Sequence, residues 1–152
     1  MNDVSSTRER LTVGGDLMEV LVGSAESDDE ILAYEVSIAP GGGPPHLHRH
    51  DAVEVVRVEE GELTFYLATR TGIDRRTAGP GDVVGIVADR EHTIRNESAG
   101  AARAFSVLSP GGRMERFARA AAALGPEAAP DRVADLAAEA GIEITRPLDA
   151  VA

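Results

Sequence analysis

From Leu11 to Ser109 the chain is a succession of short apolar or alternating segments, each cut off by Gly, Pro, Asn or Asp. Strand-length segments at short intervals, with turn residues between them, constrain such a chain to an all-β barrel or sandwich. The expected strands are 17–22, 31–39, 46–58, 62–68, 82–87, 92–96 and 102–108. Glu60-Gly61 reads as a tight hairpin and Gly79-Pro80-Gly81-Asp82 as a turn. Gly41-Gly42-Gly43-Pro44-Pro45 reads as a rigid lead into the strand richest in histidine.

After Pro110-Gly111-Gly112 the period changes. Met114, Phe117, Ala121 and Leu124 recur on one helical face, and Glu115 stands four residues before Arg119, so a helix of about 13 residues is expected. A second helix is expected over 132–140, capped by Asp131 and ended by Gly141. At 152 residues the chain fits one ordinary domain. Its expected parts are a flexible N-terminus (1–10), a barrel (11–110) and a helical segment (111–152) packed on the barrel's outside.

Composition narrows the chemistry. The chain has no cysteine, which excludes disulfides, thiolate nucleophiles, iron–sulfur clusters and Cys-type zinc sites together. A net charge of −11 with scattered basic residues argues against nucleic acid as a partner. No segment has signal-peptide character or the roughly 20 apolar residues of a membrane span, so no membrane partner and a cytoplasmic location are expected.

All four histidines fall in two short stretches: His46, His48 and His50 in HLHRHDAVE, and His92 in REHTIRN. Residues two apart on a strand share a face, so an unbroken strand would put His46, His48, His50 and Glu54 on one side. A barrel interior given imidazoles and a carboxylate needs a compensating partner, because unpaired buried polar groups cost several kcal/mol each. One divalent metal ion meets that need. Nitrogen and carboxylate donors suit Fe, Mn, Ni, Cu, Co or Zn alike, and His92 is the histidine left to ligate from across the barrel.

Gly42, His48, His50, Glu54 and Gly61 stand as G-x5-H-x-H-x3-E-x6-G, followed by His92 and Asn96. This spacing resembles the first conserved motif of the cupins. GGGPPHLHRHDAVEVVRVEEGELTF looks like the small single-domain bacterial cupins described as quercetin dioxygenase-like. Gly81 to Asn96 is similar to the second motif, with Val87 where the family has Pro and Asp89 where it has Gly. The resemblance covers about residues 30–110. It implies a cupin barrel (a double-stranded β-helix, or jelly roll) with one or two C-terminal helices. It implies His48, His50, Glu54 and His92 as metal ligands and Asn96 as their support.

The family's activities imply a metal-dependent enzyme on a small enolic or aromatic substrate, foremost a dioxygenase, with Glu54 able to leave the metal and act as base. A redox-neutral isomerase, cyclase or lyase, and a non-catalytic small-molecule binder, are the alternatives. His46 shares the inward parity and is a candidate catalytic imidazole at the barrel mouth, set against a plain surface histidine. Tyr34 and Tyr66 read as packing residues. A homodimer is expected, with Val53 and Val55 on the outer face suiting a partner sheet.

Overall fold

The computed structural model describes residues 8–151. Among these residues eleven strands form two antiparallel sheets. The first sheet holds β1 (Glu9–Val13), β2 (Asp16–Val22), β3 (Leu32–Ile38), β5 (Val53–Glu60), β8 (Val83–Ile86) and β10 (Ala102–Ser109), in the order β1-β2-β3-β10-β5-β8. The second holds β4 (His46–Arg49), β6 (Leu63–Ala68), β7 (Ile73–Ala78), β9 (His92–Arg95) and β11 (Glu143–Pro147), in the order β11-β4-β9-β6-β7. From β3 onward the chain changes sheet at nearly every connection. That alternation is the jelly-roll winding the family resemblance implies, and it brings side chains from both sheets into one interior.

Two expectations change here. The segment 46–58 is not one strand: the chain breaks at His50–Ala52, and β4 and β5 lie in different sheets. Glu60-Gly61 is likewise not a hairpin, because β5 and β6 also belong to different sheets. Gly61 takes φ 75, and a Cβ there would stand 2.5 Å from the Ala101 carbonyl oxygen, so the crossing needs glycine on both counts. Gly79 to Asp82 forms the expected turn. The Asp82 N–H donates to the Gly79 carbonyl at 3.0 Å, Gly81 takes φ 90, and the Asp82 carboxylate accepts from the Gly79 N–H.

The core lies between the sheets, built on strict alternation. In β5 Glu54, Val56 and Val58 face in; in β10 Ala102, Ala104, Ser106 and Leu108 do. Phe65, Leu67, Val84 and Ile86 close against them, each at most 2% exposed. A small second cluster of Leu47, Tyr66 and Leu148 sits apart from this core, where the C-terminal turn Leu148–Ala150 packs back on the second sheet.

The helices pack outside the sheets, and their details differ from the sequence reading. α1 is a four-residue turn (Ser24–Ser27). α2 (Gly112–Leu124) lies on β1 and β3, and its buried face is Gly112, Glu115, Ala118 and Ala121, one position round from the face drawn through Met114 and Phe117. Glu115 turns inward because its carboxylate caps α1, accepting from the Ser24 N–H at 3.0 Å and hydroxyl at 2.6 Å. α3 (Pro130–Glu139) starts with Pro130 in its first turn and Ala129 at the N-cap, where Asp131 had been expected to cap. The segment after residue 110 is not wholly helical, since β11 completes the second sheet beside β4. No helix of the described residues is long and apolar enough to cross a membrane.

Candidate metal centre

His48 and His92 are direct neighbours across the second sheet, the pair that joins β4 to β9, and Leu67 of β6 extends the same row. His50 stands in the bend that carries the chain to the first sheet, and Glu54 follows on β5. The break in 46–58 thus wraps the chain around the site: His48 and Glu54 come from opposite sheets and face each other across the interior.

Ligand atoms of His48, His50 and His92 all lie within 4.8 Å of one another. The ring centres are 4.5 Å apart for His48–His92 and 5.0 Å for His50–His92. One oxygen of Glu54 lies 3.5 Å from Nε2 of His50 and equally 3.5 Å from Nε2 of His92. His92 is 1% exposed, and His50 and Glu54 are each 6% exposed.

The Nδ1 atoms fix the tautomers. Nδ1 of His92 lies 2.7 Å from the Arg90 carbonyl oxygen, and Nδ1 of His50 lies 3.0 Å from that of Ala52. A carbonyl oxygen only accepts, so each Nδ1 carries the proton and a neutral ring turns a bare Nε2 lone pair inward. Those two Nε2 atoms are buried without a hydrogen-bond partner. Two lone pairs and a carboxylate oxygen meeting in an enclosed space repel one another unless a cation lies between them. The donor set therefore fits a metal ion, and backbone hydrogen bonds to the far ring nitrogen are the support metal-ligating imidazoles use.

The protonation balance reflects the same crowding of charges. Burial, and then repulsion from His92, lowers His48 to about 4. Burial works to raise the Glu54 carboxyl, but His50 and His92 overcome it and hold the group at about 2, ionised. Burial also works against a charged His50, and Glu54 outweighs it, so His50 is raised.

The surroundings bear on the other sequence-derived residues. Asn96 is fully buried but serves the loops: its amide donates to the carbonyls of Ile38 and Gly100, and its backbone N–H and carbonyl tie Gly42 and Gly41. It supports the lead into β4, not a ligand directly. Asp89 takes φ 64 in place of the family's glycine, and its N–H donates to the His50 carbonyl at 2.7 Å, which anchors that bend. His46 is exposed at the start of β4 and lines a separate cavity of about 550 Å³ with Tyr66, Glu97 and Asp149. Tyr66 donates to Glu97 there.

Sequence reasoning passed over Ser106, whose hydroxyl lies 3.5 Å from the second oxygen of Glu54. Its signal was the inward parity of 102–108. Ser106 pairs across the sheet with Tyr34 on one side and Val56 on the other, so the Tyr34 ring belongs to the wall beside Glu54.

A family profile described as "Cupin domain" matches residues 34–108, which include the whole constellation. No curated protein matches the sequence. Among solved structures, the polyketide cyclase RemF from Streptomyces resistomycificus aligns with a TM-score of 0.55 at 18% identity, over 72% of this chain and 78% of its own. A sugar phosphate isomerase from a cupin superfamily, from Silicibacter pomeroyi, aligns at 0.55 and 21%, over 72% of this chain and 74% of its own. The DMSP lyase DddQ from Ruegeria pomeroyi is 27% identical over 53% of this chain with a TM-score of 0.46, and this chain spans 39% of its length.

Proposed function

We propose that this chain, which belongs to the cupin superfamily by its domain match and its fold, is a metal-dependent enzyme acting on a small enolic or aromatic substrate, foremost as an oxygenase. The observation that carries the reading is the pair of inward Nε2 atoms, those of His50 and His92, buried and unpartnered, each 3.5 Å from one oxygen of Glu54.

His48, His50, His92 and Glu54 would hold the ion. When bound it would supply Lewis-acid polarisation of a substrate oxygen and, if redox-active, activation of dioxygen. The Arg90 and Ala52 carbonyls hold the His92 and His50 imidazoles in the tautomer that keeps Nε2 free. Glu54 is the carboxylate of the enclosed interior, and on leaving the ion it would be the group placed to accept a proton from an enol or an activated C–H. Leu67, Phe65 and Ile86 exclude water around it.

Ionised Glu54 equally supports a redox-neutral second reading, in which it moves a proton within the substrate in isomerase, cyclase or lyase fashion. Metal analysis of the purified protein, followed by oxygen uptake with a panel of enolic compounds, separates the readings. Iron, manganese, nickel or copper with oxygen uptake supports the oxygenase. Zinc with turnover and no uptake supports the redox-neutral enzyme. A chain that takes up no metal and turns nothing over is a binding module.

For assembly we propose a homodimer through the outer face of the first sheet. Val53 and Val55 are each 47% exposed there, and Val83 of the adjacent edge strand β8 is 59% exposed. Exposed valines on one sheet face suit a self-complementary two-fold contact.

A further inference from the structure

The three candidate histidine ligands have charged neighbours in the chain. Arg49 lies between His48 and His50, Asp51 follows His50, and Glu91 precedes His92. Each of these neighbours is ion-paired to the segment after residue 110, beyond the matched domain of residues 34–108. Arg49 pairs with Glu143 at 3.1 Å, Asp51 with Arg113 at 3.3 Å, and Glu91 with Arg146 at 2.6 Å. β11 also runs beside β4 through the pairs Glu143–Arg49, Ile144–His48, Arg146–Leu47 and Pro147–His46, whereas β4 meets β9 at His48–His92. The strand that carries His48 is therefore held chiefly by the C-terminal segment.

The three pairs are unequal. The side chains of the first two are between 43% and 64% exposed, and water and salt screen such pairs until they contribute little. The Glu91 side chain is 13% exposed and takes two N–H donors from one guanidinium, Arg146 Nε at 3.0 Å on one oxygen and Nη2 at 2.6 Å on the other. Such a fork fixes the carboxylate in direction as well as distance. A bulge between Ile144 and Arg146 leaves Thr145 without a partner on β4, and its hydroxyl reaches both the Leu47 carbonyl oxygen, at 3.0 Å, and the Glu91 carboxylate. One side chain thus touches the residue before His48 and the residue before His92. The backbone of this turn is gripped from β6: the Ala68 N–H donates to the Glu91 carbonyl at 2.9 Å, and Arg90 Nε donates to the Ala68 carbonyl at 2.9 Å. The Arg90 carbonyl in turn holds Nδ1 of His92 at 2.7 Å, so a shift at Glu91 would carry the His92 ring with it.

We propose that the C-terminal segment is a brace that sets the positions of His48 and His92, with Arg146 and Thr145 as positioning residues acting through Glu91 and Leu47. The proposal rests on the metal-dependent reading above and adds to the centre a part that lies outside the matched domain. Arg146 and Thr145 touch neither imidazole. Their effect is on where the two rings stand, and so on how tightly and in what geometry an ion is held.

The test titrates Co(II) into the folded, metal-free full chain, where the visible spectrum gives both the affinity and the coordination geometry. Arg146→Ala removes a positive charge, which by Coulomb attraction alone would strengthen the binding of a cation. The brace demands the opposite sign: an affinity about tenfold weaker, with an altered spectrum, as expected when the support of a ligand is lost. Thr145→Val changes no charge and should weaken binding in the same direction. Arg103→Ala removes the same charge from the outer face of the first sheet, where Arg103 pairs with Glu35 and Glu60, and should not weaken it. Urea denaturation of each metal-free variant checks the fold. A folded Arg146→Ala variant that binds Co(II) as tightly as the wild type or more tightly, whatever its stability, overturns the brace and leaves the metal site standing. Equal weakening in the Arg146 and Arg103 variants overturns it too. Should Arg146→Ala not fold, an unchanged affinity in Thr145→Val decides against the brace. If the wild type gives no protein-bound Co(II) spectrum, the metal-dependent reading falls and this proposal with it.

Discussion

Stripping the protein of metal by chelation and then lowering the pH measures what the clustered ligands cost the fold on their own. His48 titrates at about 4 in the fold against an ordinary 6.5, so the folded state holds it neutral while the unfolded chain takes up a proton. Its contribution to stability is present above pH 6.5 and is lost as the pH falls from 6.5 to about 4. That interval corresponds to up to about 3 kcal/mol. His50 works with the opposite sign: being raised, it favours the fold below 6.5 and loses that contribution as the pH rises through its folded value. Glu54, at about 2 against 4.5, adds a further loss only as the pH falls below 4.5. The stability of the metal-free protein should therefore be greatest near pH 6.5 and decline on the acid side. Urea denaturation followed by circular dichroism should show the midpoint falling by roughly 1–2 M between pH 6.5 and 4.5, for a slope typical of small proteins. His48→Gln should flatten this decline. A metal-free protein equally stable at both pH values, or a His48→Gln variant that declines as steeply, would refute the reasoning.

Other perturbations test the frame that positions the site. Phe65, fully buried between the sheets, should cost about 3–5 kcal/mol on Phe65→Ala, read as a lowered melting temperature. Gly43 takes φ 97, and a Cβ there would stand 2.2 Å from the Ile94 carbonyl oxygen, so Gly43→Ala should destabilise by at least about 2 kcal/mol in chemical denaturation. Val55→Glu should leave the fold intact and, if the outer valine face joins two copies, shift the mass measured by light scattering to that of a monomer; an unchanged dimer mass would move the interface elsewhere.

The barrel was legible in the sequence where burial is one-sided. Val56 and Val58, Ala104 and Leu108, Val84 and Ile86 alternate because each strand has a wet face and a dry one. β7 escaped notice because Ile73–Ala78 is an edge strand whose charged residues stand in succession, with little apolar alternation to reveal it. β11 escaped for a similar reason, its EITRP being mostly exposed. The ligand set could be read from spacing, yet parity alone placed the ligands on one continuous strand. The bend at His50–Ala52, which puts His48 and Glu54 on opposite walls, depends on contacts distant in sequence, among them the Asp89 N–H on the His50 carbonyl. Ser106 was invisible for the same reason: only the register of β10 against β5 carries it to Glu54.

Metal per chain, measured by mass spectrometry on folded, purified variants, tests the central claim most directly. The wild type should hold one divalent ion. His48→Ala, His50→Ala and His92→Ala should each lose most of it, Glu54→Ala somewhat less, and His46→Ala should keep it, because His46 lines the separate cavity beside Tyr66. A wild type without metal, or a His46→Ala variant that loses the ion while a folded His50→Ala variant retains it, would contradict the account.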